Sequence, residues 1–140
     1  MFRQGPIGGG GGGAFALSQD HPDDRILRVN CRSGSFVDRL IVTFVRSNGQ
    51  QFVKETGGPG GGLGTPLEVP PDDAIAEVTG RAGAFVDFLE IRTRAGRVQR
   101  WGGPGGGPYT FAVPGRNILV GFWGRSGAFV DAIGVDYLTL

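Results

Sequence analysis

A seven-residue phrase is written three times in this chain, as Arg32-Ser33-Gly34-Ser35-Phe36-Val37-Asp38, Arg81-Ala82-Gly83-Ala84-Phe85-Val86-Asp87 and Arg125-Ser126-Gly127-Ala128-Phe129-Val130-Asp131. Each copy follows a glycine block at nearly constant distance, since Gly13 to Asp38 and Gly62 to Asp87 are both 25 positions and Gly107 to Asp131 is 24. Repetition on this scale marks a molecule built from similar units that bury their apolar faces against one another. The 140 residues read as one domain of three repeats, approximately 8–56, 57–101 and 102–140 together with 1–7. One carboxylate beside one glycine loop, made three times, suits repeated binding far better than catalysis.

Glycine supplies 28 of the 140 residues and gathers in three blocks: Gly8 to Gly13, Gly57-Gly58-Pro59-Gly60-Gly61-Gly62 and Gly102-Gly103-Pro104-Gly105-Gly106-Gly107. A lone block of this kind reads equally well as a flexible linker. Three blocks in register with three aspartates read as sites, because glycine lets main-chain N–H groups approach a bound molecule with no β-carbon in the way. Proline in the third position of two blocks stiffens the loop, which favours a preorganised site.

Between these marks the chain alternates like half-buried antiparallel strands. Two and four residues after each Asp stand Leu40 and Val42, Leu89 and Ile91, and Ile133 and Val135. Upstream, Leu27 and Val29, Ala76 and Val78, and Val120 and Phe122 hold the same period of two around Arg28, Glu77 and Gly121. Ser47-Asn48-Gly49-Gln50 and Arg94-Ala95-Gly96-Arg97 read as hairpin tips, and Pro70-Pro71-Asp72-Asp73 as a loop. The expected fold class is all-β, three four-stranded antiparallel sheets forming a prism around a shared core.

The third repeat has no hairpin tip, because the chain ends at Leu140 soon after Asp131. Its return strand must be Met1 to Ile7, so the termini should pair and close the ring. This assigns the glycine loops by pair: Gly57 to Gly62 with Asp38, Gly102 to Gly107 with Asp87, and Gly8 to Gly13 with Asp131. The valine before each Asp should point into the core, leaving Phe36, Phe85 and Phe129 facing out.

Composition excludes several classes. One Cys (Cys31) leaves no internal disulfide framework, and with a single His (His21) no His/Cys zinc cluster. Net charge is +1, with no stripe or run of basic residues, so neither nucleic acid nor a membrane surface is an expected partner. No apolar run approaches the ~20 residues that span a bilayer, and the first residues carry no signal-peptide core. A cytoplasmic protein, or one secreted by a non-classical route, is expected. Glycosidase chemistry needs two carboxyls roughly 5 to 9.5 Å apart in one cleft, whereas one Asp recurs per repeat. No Gly-Lys-Ser/Thr follows any glycine block, which excludes a phosphate-binding P-loop.

A glycine loop paired with a Gly-x-x-x-Asp motif, in a chain opening Gly5-Pro6-Ile7-Gly8-Gly9 and closing Gly124-Arg125-Ser126-Gly127-Ala128-Phe129-Val130-Asp131-Ala132-Ile133-Gly134-Val135, resembles the jacalin-related lectins over essentially its whole length. Keeping all three sites makes it similar to the griffithsin-like members. The resemblance implies a β-prism I fold with Greek-key sheets, no enzymatic activity, no cofactor or metal, and multivalent binding of mannose- or glucose-containing glycans and glycoproteins. A homodimer or higher homo-oligomer is compatible with it. The implied sugar-binding residues are Gly8 and Gly9 with Gly127, Ala128, Phe129, Val130 and Asp131; Gly57 and Gly58 with Gly34, Ser35, Phe36, Val37 and Asp38; and Gly102 and Gly103 with Gly83, Ala84, Phe85, Val86 and Asp87. Griffithsin-like sites carry Tyr two residues before the Asp; here Phe stands there, so a ring can cover an apolar sugar face but the hydroxyl bond is gone. The other reading of the repeats is a structural or targeting prism with degenerate sugar sites.

Overall fold

Alternating apolar residues bounded by Gly- and Pro-rich turns give thirteen strands and no helix. In the computed structural model, which describes residues 1–140, they are β1 (Phe2–Gly8), β2 (Gly13–Ser18), β3 (Arg25–Ser33), β4 (Val37–Val45), β5 (Gln51–Gly57), β6 (Gly62–Leu63) and β7 (Leu67–Glu68). The remainder are β8 (Ile75–Ala82), β9 (Val86–Thr93), β10 (Val98–Gly102), β11 (Gly107–Ala112), β12 (Asn117–Ser126) and β13 (Val130–Thr139). Three antiparallel sheets result, in the orders β5-β4-β3-β6 with β7 also on β3, β10-β9-β8-β11, and β1-β13-β12-β2. Each has three strands in sequence and a fourth returning beside the first, the Greek-key order.

The ends of the chain complete the third key. β1 lies antiparallel to β13 with Phe2 opposite Tyr137 and Gly8 opposite Ala132. Arg3 reinforces the seam, donating through Nε and Nη2 to the two carboxylate oxygens of buried Asp136 at 2.7 and 3.0 Å. This fork-to-carboxylate geometry is the strong form of an ion pair.

One sheet departs from four continuous strands. Its outer strand is split, β6 pairing Arg32 and Ser33 while β7 pairs Arg28 and Val29. Pro66, which has no N–H to give the ladder, lies in the gap. The Trp101 indole occupies the space over Gly64, its Nε1 donating to the Asn30 side chain and the Thr65 carbonyl.

The inner faces form a single cluster of 25 buried residues. Leu40, Val42, Leu89, Ile91, Ile133 and Val135 all enter it, as the period of two predicts. Each full burial contributes about 1.5–3 kcal/mol. The upstream strands break that period at one equivalent place in every repeat. A register shift lies between Ile26 and Arg28, between Ile75 and Glu77, and between Leu119 and Gly121. The extra residue flips the side-chain parity. Ile26, Ile75 and Leu119 therefore enter the core cluster, and Leu27, Ala76 and Val120 do not.

A second shift, between Arg32 and Ser33, Arg81 and Ala82, and Arg125 and Ser126, ends regular pairing just before each repeated motif. Such a bulge re-aims the chain. It releases the motif from the ladder at one end of the prism, where all three copies meet.

Candidate functional site

Val37, Val86 and Val130 are fully buried, anchoring each motif to the core. The next residues, Asp38, Asp87 and Asp131, are 6%, 7% and 5% exposed. Over each carboxylate folds the glycine loop of the expected partner. A β-carbon on Gly60, Gly105 or Gly11 would stand 2.7 Å from Oδ2 of Asp38, Asp87 or Asp131 respectively. On Gly61, Gly106 or Gly12 it would come within 2.7, 2.6 and 2.8 Å of the corresponding Oδ1, and all three have positive φ, between 67° and 77°. Only glycine meets both conditions at that position.

The first glycines of each block have a different task. Gly9, Gly58 and Gly103 donate their N–H groups to the carbonyls of Asp131, Asp38 and Asp87 at 2.9, 2.8 and 2.8 Å. Each also abuts another repeat: a β-carbon there would reach the carbonyl oxygens of Ala84, Ala128 and Ser35 at 2.1, 2.2 and 2.6 Å. Gly8, Gly57 and Gly102 end strands β1, β5 and β10 against the residue after the Asp. The residues above the carboxylates are thus Gly11 and Gly12, Gly60 and Gly61, and Gly105 and Gly106. Sequence reading selected the block starts instead, although the loop's return toward the next strand places its far end over the acid.

Main-chain donors stand free around each acid. Gly34, Gly83 and Gly127 spend their N–H groups on the carbonyls of Phe36, Phe85 and Phe129. The following amides, Ser35 and Phe36, Ala84 and Phe85, and Ala128 and Phe129, donate to no protein group, nor do those of Gly60, Gly61, Gly105, Gly106, Gly11 and Gly12. Asp131 Oδ1 is buried with no hydrogen-bond partner. Burial raises the Asp38 and Asp131 carboxyls above the ordinary range, while Arg32 and Arg125 pull them partly back. Acceptors and donors left without protein partners are what a polyhydroxyl ligand can satisfy.

The phenylalanine rings do not face outward separately, contrary to the expectation that each covers its own sugar. Phe36, Phe85 and Phe129 pack on one another with centroids 5.0, 5.2 and 4.8 Å apart and planes 54° to 64° from parallel. They form a half-buried three-ring plug on the pseudo-threefold axis, with the three carboxylate sites arranged around it on one end of the prism.

The motif arginines are wholly local. Arg32 Nε donates to the carbonyls of Pro59 and Gly60, and its Nη2 to Gly61 at 2.8 Å. Arg81 bonds Gly105 and Gly106, and Arg125 bonds Gly10, Gly11 and Gly12. None forms an ion pair with its Asp.

Beyond this shared centre the three sites differ in the residue after the Asp. Arg39 fills its place by bonding Glu55 and the Gly57 carbonyl. Phe88, with Arg81, Gly102, Gly103 and Pro104, lines an open groove of about 510 Å³. Ala132 stands at the third. No group of three or more His, Cys, Asp or Glu side chains is placed to hold a metal ion.

The jacalin-like lectin domain family matches residues 4–136. A solved Malaysian banana lectin superposes with a TM-score of 0.85 at 26% identity, covering 99% of both chains. A mannose-binding jacalin-related lectin from Ananas comosus does so at 0.83 and 26%, covering 99% of this chain and 98% of that one. Artocarpin in complex with mannotriose, 22% identical with a TM-score of 0.84 over 98% and 97% of the two chains, shares the fold. Among curated proteins, none matches by sequence. The β-prism I architecture and the match over nearly the whole length place this chain among the jacalin-like lectins, non-enzymatic proteins that bind carbohydrate.

Proposed function

We propose that the chain is a mannose/glucose-specific lectin with three working sites, which engages branched high-mannose glycans without a metal ion. The observation that carries this reading is the threefold recurrence of a buried carboxylate beneath free main-chain amides. An ionised carboxylate accepts two hydroxyl protons, and main-chain N–H groups donate to ring and hydroxyl oxygens. Asp38, Asp87 and Asp131 take the 4- and 6-hydroxyls of a hexopyranose. The amides after Gly34, Gly83 and Gly127 reach the ring and 6-oxygens, and the glycine loops contact the 3-hydroxyl. The mannose binding stated for the Ananas comosus lectin supports the choice of sugar.

Single-site affinity is millimolar, roughly 4 kcal/mol, for a small polar ligand held at a shallow site. Three sites around one axis let a branched glycan bridge two of them, raising avidity by roughly 10² or more. The test compares Asp38→Ala, Asp87→Ala and Asp131→Ala, singly and combined, on methyl α-mannopyranoside and on a branched high-mannose glycan. Each single change should cost far more on the branched ligand. Equal loss of about a third on both ligands would refute the bridging.

A further inference from the structure

The carbonyl and N–H of a trans peptide unit point in opposite directions. Whatever holds the carbonyls of a loop to one side therefore aims its amides to the other. In every repeat the motif arginine grips consecutive glycine-loop carbonyls, and among the amides of the same units those of Gly11 and Gly12, of Gly60 and Gly61, and of Gly106 have no partner. The Arg125 contacts are at 3.1 and 2.9 Å from Nε to Gly10 and Gly11 and 2.6 Å from Nη2 to Gly12. The peptide units they hold carry the N–H groups of Gly11, Gly12 and Gly13, of which the first two are unspent. Left alone, such a glycine run samples many conformations, and ordering it would be charged against ligand binding.

We propose that Arg32, Arg81 and Arg125 are positioning residues that fix the glycine loops by their carbonyls, turning the loop amides into a preset nest of donors for the oxygen atoms of the bound sugar. They touch no ligand themselves; their Nε and Nη2 donors are consumed by the loop. The nest is of the kind in which successive N–H groups converge on an electron-rich atom. The positive φ of Gly12, Gly61 and Gly106 supplies the left-handed residue that lets neighbouring amides converge. Lysine cannot replace the fork, since one ammonium cannot meet three carbonyls in this geometry. The inference rests on the sugar-binding reading above and adds to it the device that readies each site.

The repeat supplies its own control, because one arginine can be altered while two intact sites remain in the molecule. Arg125→Ala and Arg125→Lys are compared with the wild-type chain by NMR titration with methyl α-mannopyranoside, following the amides of Gly11, Gly12, Ala128, Ser35 and Ala84. Both variants should lose affinity roughly tenfold at the Asp131 site, the scale seen when an orienting partner is removed, with the other two sites unchanged. Before any sugar is added, the Gly11 and Gly12 amides should shift and exchange faster. Unchanged affinity at the Asp131 site, or an equal loss at all three, overturns the positioning role while the lectin reading stands. A wild-type chain that shows no site-specific response to the mannoside overturns the sugar reading and this inference with it.

Discussion

Gly58 of one repeat lies so close to Ala128 of another that a β-carbon on it would come within 2.2 Å of the Ala128 carbonyl oxygen. The same contact joins Gly9 to Ala84 and Gly103 to Ser35, so each glycine loop leans on the motif of a neighbouring site and the three close a ring. Gly58→Ala forces backbone against backbone. It should destabilise the fold by about 1–3 kcal/mol, the range for overpacking, and weaken sugar binding at the Asp38 and Asp131 sites while sparing Asp87. Thermal melts with a site-resolved titration check this.

The three-ring plug holds the sites' common end together. Phe85→Ala removes a ring that touches two others. Because it is half-buried, the cost should be about 2 kcal/mol, below the 3–5 of a fully buried phenylalanine. All three sites should lose affinity together, in contrast to the single-site effect of any Asp change. Denaturant unfolding and mannoside titration of the variant supply both readings.

The Asp131 carboxylate should weaken the unliganded fold at neutral pH. Burial raises the folded-state Asp131 carboxyl. A raised acid contributes stability that is present below its unfolded pKa and is lost as pH rises through its folded one. Asp131→Asn should therefore raise the melting temperature at pH 7, with the advantage disappearing as pH falls through the carboxyl range. Asp73 behaves oppositely: burial would raise it, but donors from Thr93, Ala95, Ala74 and Arg97 together hold it at about 2. Its stabilisation is complete above the unfolded value near 4 and fades as pH falls toward 2. Melts of Asp131→Asn and wild type from pH 2 to 7 separate the two signs.

Sugar binding should survive a chelator. The three site aspartates belong to separate repeats, and no acidic cluster of metal-ligand size exists in the structure. Titration in EDTA should match titration in calcium; binding that fails in EDTA and returns with calcium would reject the direct carboxylate mechanism.

Much of this was legible because it is topological. The missing third hairpin requires β1 beside β13, and that pairing dictates which loop covers Asp131. The parity of the upstream strands was not legible, since Ile26 and Leu27 are both apolar and only the bulge decides which enters the core. The direction of Phe36 was hidden for another reason. Exposed within one repeat, it meets Phe85 and Phe129 only once three repeats share an axis. Loop carbonyls as arginine partners leave no pattern of their own; the signal was the constant place of Arg32, Arg81 and Arg125 six residues before each Asp. Proline at position 66 could have announced the split of the outer strand.

The central claim is that each repeat contributes one independent sugar site built on its own aspartate. Calorimetry with methyl α-mannopyranoside measures this as a stoichiometry. The wild-type chain should bind three equivalents, Asp131→Ala two, and the triple variant of Asp38, Asp87 and Asp131 none. Three equivalents retained in Asp131→Ala, or measurable binding in the triple variant, would contradict it.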